Sequence, residues 1–232
     1  MSKVVVIDSG INKKFAKNNP NIIKSVSLYI DKNSNISEKE GFECNNPHGT
    51  AIADIITNIN PDVQIIDINI LDDNLETNGY VLLKSIEMAI ELKPDVINLS
   101  LGTNSLKYAI QMVKLVRKAI KNNIHVVAAY DNKRRITFPA KIKGVIGVKS
   151  ISNLRKGDFF NRYAYKRNKY YAPGCSIYAY NLDGSEFENI MYGNSMASAY
   201  ITGKISLIID ENAEISYSKV INKMKFNLKY KL

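Results

Sequence analysis

The chain has 232 residues, of which 45% are hydrophobic, and it carries 32 Lys and Arg against 22 Asp and Glu. This length and composition suffice for a full core, which excludes a disordered protein, and two cysteines exclude a disulfide-stapled scaffold. No apolar run approaches the ~18 residues of a membrane span and no signal peptide is recognisable, so we expect a cytoplasmic protein. The formal charge of +10 favours an acidic partner, without distinguishing nucleic acid, membrane and peptide.

Short apolar runs rich in β-branched residues alternate with stretches of helical periodicity. The runs predict strands at residues 4–7, 63–70, 95–99, 124–129 and 144–148. Apolar stripes predict helices at 51–59, 82–90 and 106–120, and the third stripe includes Leu106 and Ile110, which we expect to face the core. Another helix runs from Ser195 to about residue 209, and residues 216–232 favour a closing helix with solvated lysines. The alternation predicts one α/β domain with a mostly parallel sheet and helices on both faces.

Three polar residues stand at the ends of these elements, where ligands bind in parallel sheets. Asp8 follows the first strand, His48 opens the first long helix and Ser195 opens the last long one. Singly, each has an ordinary explanation as a turn residue, a loop histidine or a helix cap. Together, Asp, His and Ser in this order are one of the known arrangements of a catalytic triad.

The segments around these residues resemble those of the subtilisin-like serine proteases, or subtilases. Residues 5–11, 47–53 and 193–198 resemble the family's aspartate, histidine and serine segments. Residues 95–102 resemble its substrate-binding strand, and 126–132 the segment that ends in its oxyanion asparagine; Ala172-Pro173-Gly174 also recurs. The resemblance covers residues 3 to about 210. It implies a subtilisin-like three-layer fold, with residues 1–232 forming a single protease domain that has no propeptide.

The resemblance also implies a role for particular residues. Ser195 would be the nucleophile, His48 the general base, Asp8 the partner of the imidazole and Asn132 the donor to the oxyanion. The substrate-binding residues that it implies are Tyr80, Ser100, Leu101, Gly102, Ala129, Tyr130, Asp131 and Arg134. No cofactor or metal is expected, because residues 59–62, where the family's calcium loop would fall, are too few to wrap a calcium ion.

Several positions depart from the family. Asn194 stands where the family usually has Thr, and Ala199-Tyr200 where it has Pro-His; these exchanges are expected to be tolerated. Tyr130-Asp131 replaces a small Ala-Gly pair that lines the pocket for the residue before the scissile bond, so we expect unusual specificity. Three cations at 133–135 lie near that pocket. They are either a solvated charge run or a device that attracts acidic substrate segments.

We therefore expect a monomeric endopeptidase of narrow specificity that acts on a peptide substrate inside the cell. The resemblance extends to small cytoplasmic proteases that remove leaders from ribosomally made peptides such as lanthipeptides, and an acidic leader would suit the charge of this chain. The alternative is a subtilase-fold binding module without activity. A nucleic-acid partner is not expected, because no recognition motif is present and the lysines are dispersed, and no membrane partner is expected. A second histidine, His125, lies within an apolar strand and should have a packing role.

Overall fold

The computed structural model describes residues 1–132, 137–151, 163–175, 179–180, 186–187, 191–212 and 215–226. Its strands are β1 (Lys3–Asp8), β2 (Ile22–Ile30), β3 (Ile36–Glu40), β4 (Gln64–Asn69), β5 (Val96–Leu99), β6 (His125–Ala129), β7 (Ile146–Ile151), β8 (Ala164–Lys166), β9 (Lys169–Pro173), β10 (Ala179–Tyr180) and β11 (Glu186–Phe187). Its helices are α1 (Lys13–Asn18), α2 (His48–Ile59), α3 (Gly79–Glu91), α4 (Leu106–Lys121), α5 (Asn194–Asp210) and α6 (Tyr217–Phe226).

One large sheet runs through the centre of the molecule in the order β3-β2-β4-β1-β5-β6-β7-β9-β8. The strands from β2 to β9 in this order are parallel to their neighbours, and the edge strands β3 and β8 are antiparallel. Strands β10 and β11 form a separate antiparallel pair. The predicted α/β fold with a mostly parallel sheet is therefore confirmed.

The sheet is covered by helices on both faces, and β1 shows how the two cores share one strand. Val4 and Val6 belong to the core that contains α2 and α5, whereas Val5 and Ile7 belong to the core that contains α3 and α4. All four side chains are completely buried. Successive side chains of a strand point to opposite faces, so a strand buried on both faces is apolar throughout.

The antiparallel edge formed by β2 and β3 was not predicted. Exposed positions interrupt β2, and β3 has only intermediate and exposed residues, several of them charged. An edge strand that is partly solvated lacks the continuous apolar run that marked the central strands. The short helix α1 was also missed, because its six residues are too few to show a helical period.

Helix α4 forms where it was predicted, but the expected orientation of its first two turns was wrong. Leu106 and Ile110 are 74% and 71% exposed. The side chains that the helix buries are Met112, Val116 and Ala119. The apolar stripe in the sequence therefore combined two different faces of one helix. No helix in the described ranges is both long and apolar enough to cross a membrane.

His125 has the packing role expected from its place in an apolar strand. It is 1% exposed within β6, and its ring stacks on Tyr217 at a centroid distance of 4.2 Å. Burial lowers the pKa of His125 to about 4, so the ring is neutral at physiological pH. This histidine joins the sheet to α6.

Candidate active site

The carboxyl end of β1 meets the start of α2 at Asp8 and His48. Nδ1 of His48 lies 2.7 Å from Oδ1 of Asp8, whose side chain is completely buried. The same Oδ1 accepts a hydrogen bond of 2.8 Å from the backbone N–H of Ser9. A carboxylate can only accept, so the neutral imidazole must carry its proton on Nδ1, which leaves Nε2 as a proton acceptor. The pair presents a base that a buried carboxylate orients.

Small residues allow the strand end and the helix start to approach this closely. A Cβ added to Gly49 would lie 2.5 Å from the carbonyl oxygen of Gly10, which itself has a φ of +86°. The hydroxyl of Ser9 links the two segments, because it donates to the Asn46 carbonyl at 2.8 Å and accepts from the Gly49 N–H at 3.0 Å. The sequence Asp-Ser-Gly at 8–10 thus positions the carboxylate, the linking hydroxyl and the close contact.

The protonation of His48 is set by two opposing influences. Burial disfavours the imidazolium and lowers its pKa, but the charge of Asp8 and the hydrogen bond to it act in the opposite direction. The net result is a His48 pKa above its ordinary value. The site therefore stabilises a protonated imidazole, which is the form that arises when His48 accepts a proton.

A second buried carboxyl group, Asp67, lies on the neighbouring strand β4. It pairs in register with Val6, on the same face as Asp8, and is completely buried. Its Oδ2 accepts from the Ser25 hydroxyl at 2.7 Å and from the Ile11 N–H at 3.1 Å. Burial raises the pKa of Asp67 to about 7; the two hydrogen bonds lower it, and the Asp8 charge raises it further. Asp67 was not predicted as a site residue, although a charged residue inside an apolar strand was a visible signal in the sequence.

Ser195 occupies the first turn of α5, after a tight turn at Gly193, whose φ is +143°. Its hydroxyl donates to the backbone carbonyl of Ser100 at 3.0 Å rather than to His48. The hydroxyl and the imidazole line the same cleft. A change of the Ser195 χ1 rotamer by about 120° is the kind of motion that redirects such a hydroxyl, and catalytic hydrogen bonds often form only when substrate is bound.

Asn132 follows the end of β6 and is held in place by Asn194. Its Oδ1 accepts a 3.1 Å hydrogen bond from the backbone N–H of Asn194. Its Nδ2 lies beside Gly193, where an added Cβ would be 3.3 Å away. Since the amide oxygen is engaged by the helix start, the amide N–H groups remain as donors at the rim of the cleft.

The side chain of Asn194 connects three segments around this point. Its Nδ2 donates to the carbonyl of Tyr130 at 2.8 Å, and its Oδ1 accepts from the N–H and the hydroxyl of Ser150 at 2.7 and 3.0 Å. It therefore links the ends of β6 and β7 to the start of α5. The sequence suggested only a tolerated exchange at this position, because the partners are 44 and 64 residues away.

The candidate residues open on one cleft of about 710 Å³. The residues that line it are His48, Leu71, Leu75, Ser100, Leu101, Gly102, Thr103, Asn104, Ala129, Tyr130, Asp131, Asn132, Thr137, Met191, Tyr192, Ser195 and Met196. One wall is the segment after β5 and the other is the segment after β6. Two walls contributed by neighbouring parallel strands leave a groove in which an extended chain can lie.

The structure gathers most of the predicted substrate-binding residues along this cleft. Ser100, Leu101, Gly102, Ala129, Tyr130 and Asp131 all line it. Tyr80 instead lies on α3, 47% exposed and packed edge-on against Tyr108 at 5.3 Å, and does not line the cleft. Arg134 and the rest of the charge run at 133–135 lie outside the described residues. The binding roles of Tyr80 and Arg134 stay predictions.

Two features of the cleft walls were not visible in the sequence. Thr137 accepts a hydrogen bond of 3.2 Å from the Asp131 N–H, and a Cβ added to Gly102 would lie 2.5 Å from Thr137 Cγ2 and from the Phe138 carbonyl. Through these contacts Thr137 connects the two walls of the cleft. The Tyr130 ring packs against Gly147, whose added Cβ would lie 2.7 Å from it.

Within the described part of the chain, no group of three or more His, Cys, Asp or Glu could hold a metal ion.

The chain is similar in sequence to known serine proteases. The model of the subtilase family matches residues 2–226. Subtilisin amylosacchariticus from Bacillus subtilis subsp. amylosacchariticus is 27% identical over 243 residues, which cover 98% of this chain and 60% of that protein. The chain thus spans about three fifths of the length of this relative. The major intracellular serine protease of Bacillus subtilis strain 168 is 26% identical over 223 residues, covering 89% of this chain and 67% of that protein.

A solved structure of similar fold is described as a lanthipeptide protease. It superposes with a TM-score of 0.74 over 95% of this chain and 78% of its own, at 19% sequence identity. At this identity the likeness concerns the fold. A cold-adapted subtilisin-like serine proteinase superposes with a TM-score of 0.72 over 97% of this chain and 81% of its own, at 21% identity, which confirms that the fold is subtilisin-like.

Proposed function

Because the chain belongs to the subtilase family, we propose that it is a serine endopeptidase that uses Ser195, His48 and Asp8 to hydrolyse peptide bonds. One observation carries the proposal. The 2.7 Å pair of Asp8 and His48 stands at the same cleft as the Ser195 hydroxyl and the Asn132 amide. These four groups supply the base, its orienting carboxylate, the nucleophile and an oxyanion donor, which together are what acyl transfer requires.

The reaction begins with a proton transfer. The Ser195 hydroxyl turns from the Ser100 carbonyl toward Nε2 of His48, which takes its proton as Oγ attacks the carbonyl carbon of the substrate. The imidazolium that forms is stabilised by Asp8, in keeping with the raised His48 pKa. His48 then returns the proton to the leaving amine, and a water molecule hydrolyses the acyl-enzyme by the same steps in reverse.

The negative charge that develops on the carbonyl oxygen requires hydrogen-bond donors. Asn132 Nδ2 is one, because the Asn132 Oδ1 is already engaged by the Asn194 N–H. The backbone N–H of Ser195 is another, since N–H groups in the first turn of a helix lack intrahelical acceptors. The positive end of the α5 dipole acts in the same direction.

The finer part of the proposal concerns substrate and location. We propose a monomeric enzyme of narrow specificity that processes a precursor or leader peptide in the cytoplasm. The fold shared with a lanthipeptide protease and the similarity to an intracellular serine protease support this. So do the two cysteines, Cys44 and Cys175, which are both free thiols.

The decisive test is covalent labelling with a fluorophosphonate probe. Wild type should be labelled, Ser195→Ala should not, and Ser218→Ala, on the exposed start of α6, should be labelled like wild type. The Ser195→Ala protein should stay folded, because it loses one hydrogen bond worth about 1 kcal/mol. Labelling that persists in Ser195→Ala would reject the assignment of the nucleophile. An unlabelled but folded wild type would favour the inactive binding module.

Substrate preference is tested by mass spectrometry of a randomised peptide library after incubation with the protein. Narrow specificity predicts cleavage of a small, related subset of peptides, and none in the parallel Ser195→Ala incubation. Cleavage of most peptides would contradict a processing role while leaving the protease assignment intact.

A further inference from the structure

Helix α4 presents an unusual exposed face. Leu106, Ile110, Lys114, Arg117 and Lys121 are all exposed, and they follow one another at intervals of three or four residues. That spacing places them in one stripe along the helix. We call these five residues the α4 surface. Its apolar end, Leu106 and Ile110, is more exposed than almost any other large hydrophobic in the described chain.

The charge of α4 has one sign. The helix carries Lys107, Lys114, Arg117, Lys118 and Lys121 and no acidic residue. None of these five cations forms an ion pair with another residue in the described ranges. On the adjacent helix α3, Glu87 is paired with Lys84 instead. The stripe therefore lacks a counter-charge from within the described structure, and a binding partner that supplies one would have to be acidic.

The α4 surface continues directly from the cleft. Thr103 and Asn104 line the cleft, Ser105 precedes the helix, and Leu106 is its first residue. Beside this start, the Lys107 Nζ lies 4.8 and 5.4 Å from the ring centroids of Tyr80 and Tyr108. The stripe from residue 106 to 121 is about 22 Å long at 1.5 Å per residue. Some seven residues of an extended peptide would cover it.

We propose that the α4 surface is an exosite that binds an acidic segment of the peptide substrate outside the residues that occupy the cleft. Apolar side chains of that segment contact Leu106 and Ile110, and its carboxylates contact Lys114, Arg117 and Lys121. The inference rests on the proposed function and narrows it to peptides with an acidic, partly apolar extension. It also gives Tyr80 a place beside the path of the substrate, outside the cleft itself.

The chemistry of the surface favours a peptide over a membrane. A helix that lies in a bilayer interface needs a long apolar face, whereas this stripe has two apolar residues at one end and cations along the rest. The apolar residues of the α4 surface lie next to the cleft and its cations lie further away. This order suits a peptide that leaves the cleft and continues along the helix. Binding to lipid is the outcome that would replace the proposal.

The test compares substrates that share one cleaved sequence. One peptide is the cleaved sequence alone, called the bare peptide. Two acidic peptides carry a seven-residue extension of Glu and Leu, one before and one after the cleaved sequence. Two matched peptides have the same extensions with Gln in place of Glu. In wild type, one of the two acidic peptides should have a kcat/KM about 10 to 100 times that of its Gln counterpart, mainly through a lower KM. Equal values for all peptides would overturn the exosite.

Two variants and a control locate the effect. The combined change Lys114→Glu, Arg117→Glu and Lys121→Glu should abolish the advantage of the acidic peptide, and Leu106→Ser with Ile110→Ser should reduce it at least threefold. Both should cleave the bare peptide within twofold of wild type. The control Lys13→Glu, Lys14→Glu and Lys17→Glu changes net charge equally, on the exposed side of α1, and should keep the advantage. An equal loss in this control would mean general charge attraction and would reject a localised exosite.

Direct binding separates this inference from the proposed function. The Ser195→Ala protein should bind the fluorescently labelled acidic peptide, and Lys114→Glu, Arg117→Glu and Lys121→Glu together should weaken that binding at least tenfold. This result is independent of whether any peptide is hydrolysed. The membrane alternative is tested by sedimentation with vesicles containing 30% phosphatidylserine. If the protein sediments with these vesicles through the α4 surface and does not bind the acidic peptide, the proposal is overturned in favour of a membrane partner.

Discussion

The two halves of the candidate site are built differently. The Asp8 and His48 half is joined by a direct 2.7 Å contact and is held between a strand end and a helix start. In the other half, the Ser195 hydroxyl donates to the Ser100 carbonyl, and Asn132 is held by a hydrogen bond from the Asn194 N–H; neither contacts a charged partner in these hydrogen bonds. An unpaired buried charge costs several kcal/mol of folding free energy, so the buried carboxylate keeps its partner in the free protein. A neutral hydroxyl and a neutral amide cost less, so they can form their catalytic hydrogen bonds only when substrate is bound. The difference predicts how severely each half responds to substitution.

The largest effect is expected from breaking the first half. Asp8→Asn removes the charge that stabilises the His48 imidazolium and favours the wrong tautomer, so kcat/KM should fall by about 10⁴-fold. The loss of the charge also lowers the His48 pKa. The acidic limb of the plot of kcat/KM against pH should therefore move to lower pH. Measurement of kcat/KM from pH 5 to 9 tests both. Retention of a tenth of wild-type activity would contradict the pairing as the source of the base.

Asn132→Ala breaks the second half at its oxyanion donor. We expect kcat to fall by about 10²- to 10³-fold with KM within a few-fold of wild type, because the donor acts only on charge that develops in the transition state. Asn104→Ala is the matched control, since Asn104 is another asparagine that lines the cleft. An unchanged kcat in Asn132→Ala would remove this residue from the chemistry.

Asn194→Ala sharpens the comparison by loosening the second half without removing a group that touches the substrate. The variant loses the hydrogen bonds to Tyr130 and Ser150, so Asn132 and the α5 start should lose their fixed spacing. We expect kcat to fall about tenfold, and the free energy of unfolding to fall by about 1–3 kcal/mol because buried partners are left unsatisfied. Asn212→Ala, beyond the other end of α5, should change kcat less than twofold. A stability loss without a kcat change would make Asn194 purely structural.

The smallest effect on activity is expected at Asp67, beside the first half, where the consequence is for stability. Between pH 4 and 7 the folded state keeps the proton on Asp67, while the unfolded state, with an ordinary pKa near 3.8, releases it. The contribution of Asp67 to the free energy of unfolding therefore falls as pH rises through this range and is level above about pH 7. Asp67→Asn has no such proton, so its stability relative to wild type should increase by about 2–4 kcal/mol from pH 4 to pH 8.

Urea unfolding of both proteins at several pH values measures this difference. A stability difference that does not change with pH would contradict the raised pKa of Asp67. Peptide hydrolysis by Asp67→Asn should stay within a few-fold of wild type. A loss as large as that of Asp8→Asn would instead place Asp67 in the catalytic machinery.

The central part of the fold could be predicted because its signals are local. The strand predicted at 63–70 is observed as Gln64–Asn69, and the helix predicted at 82–90 lies within Gly79–Glu91. Continuous apolar runs and helical stripes predict which side chains are buried, because each element buries its own apolar side chains in the core. The strand predicted at 144–148 is displaced to Ile146–Ile151, where the last three residues are only partly buried and the apolar signal fades.

By itself, the sequence determined the fold class and the residue types of the candidate site, because short motifs and periodicity are properties of neighbouring residues. The tertiary structure alone decided what depends on distant partners. It set the proton affinity of Asp67 through burial beside Asp8 and assigned Asn194 its partners on two strands. It also turned Leu106 and Ile110 toward solvent, because the neighbouring helix and sheet meet the side of α4 that carries Met112 and Val116. Periodicity shows that a helix has an apolar face, but only packing selects which side chains that face buries.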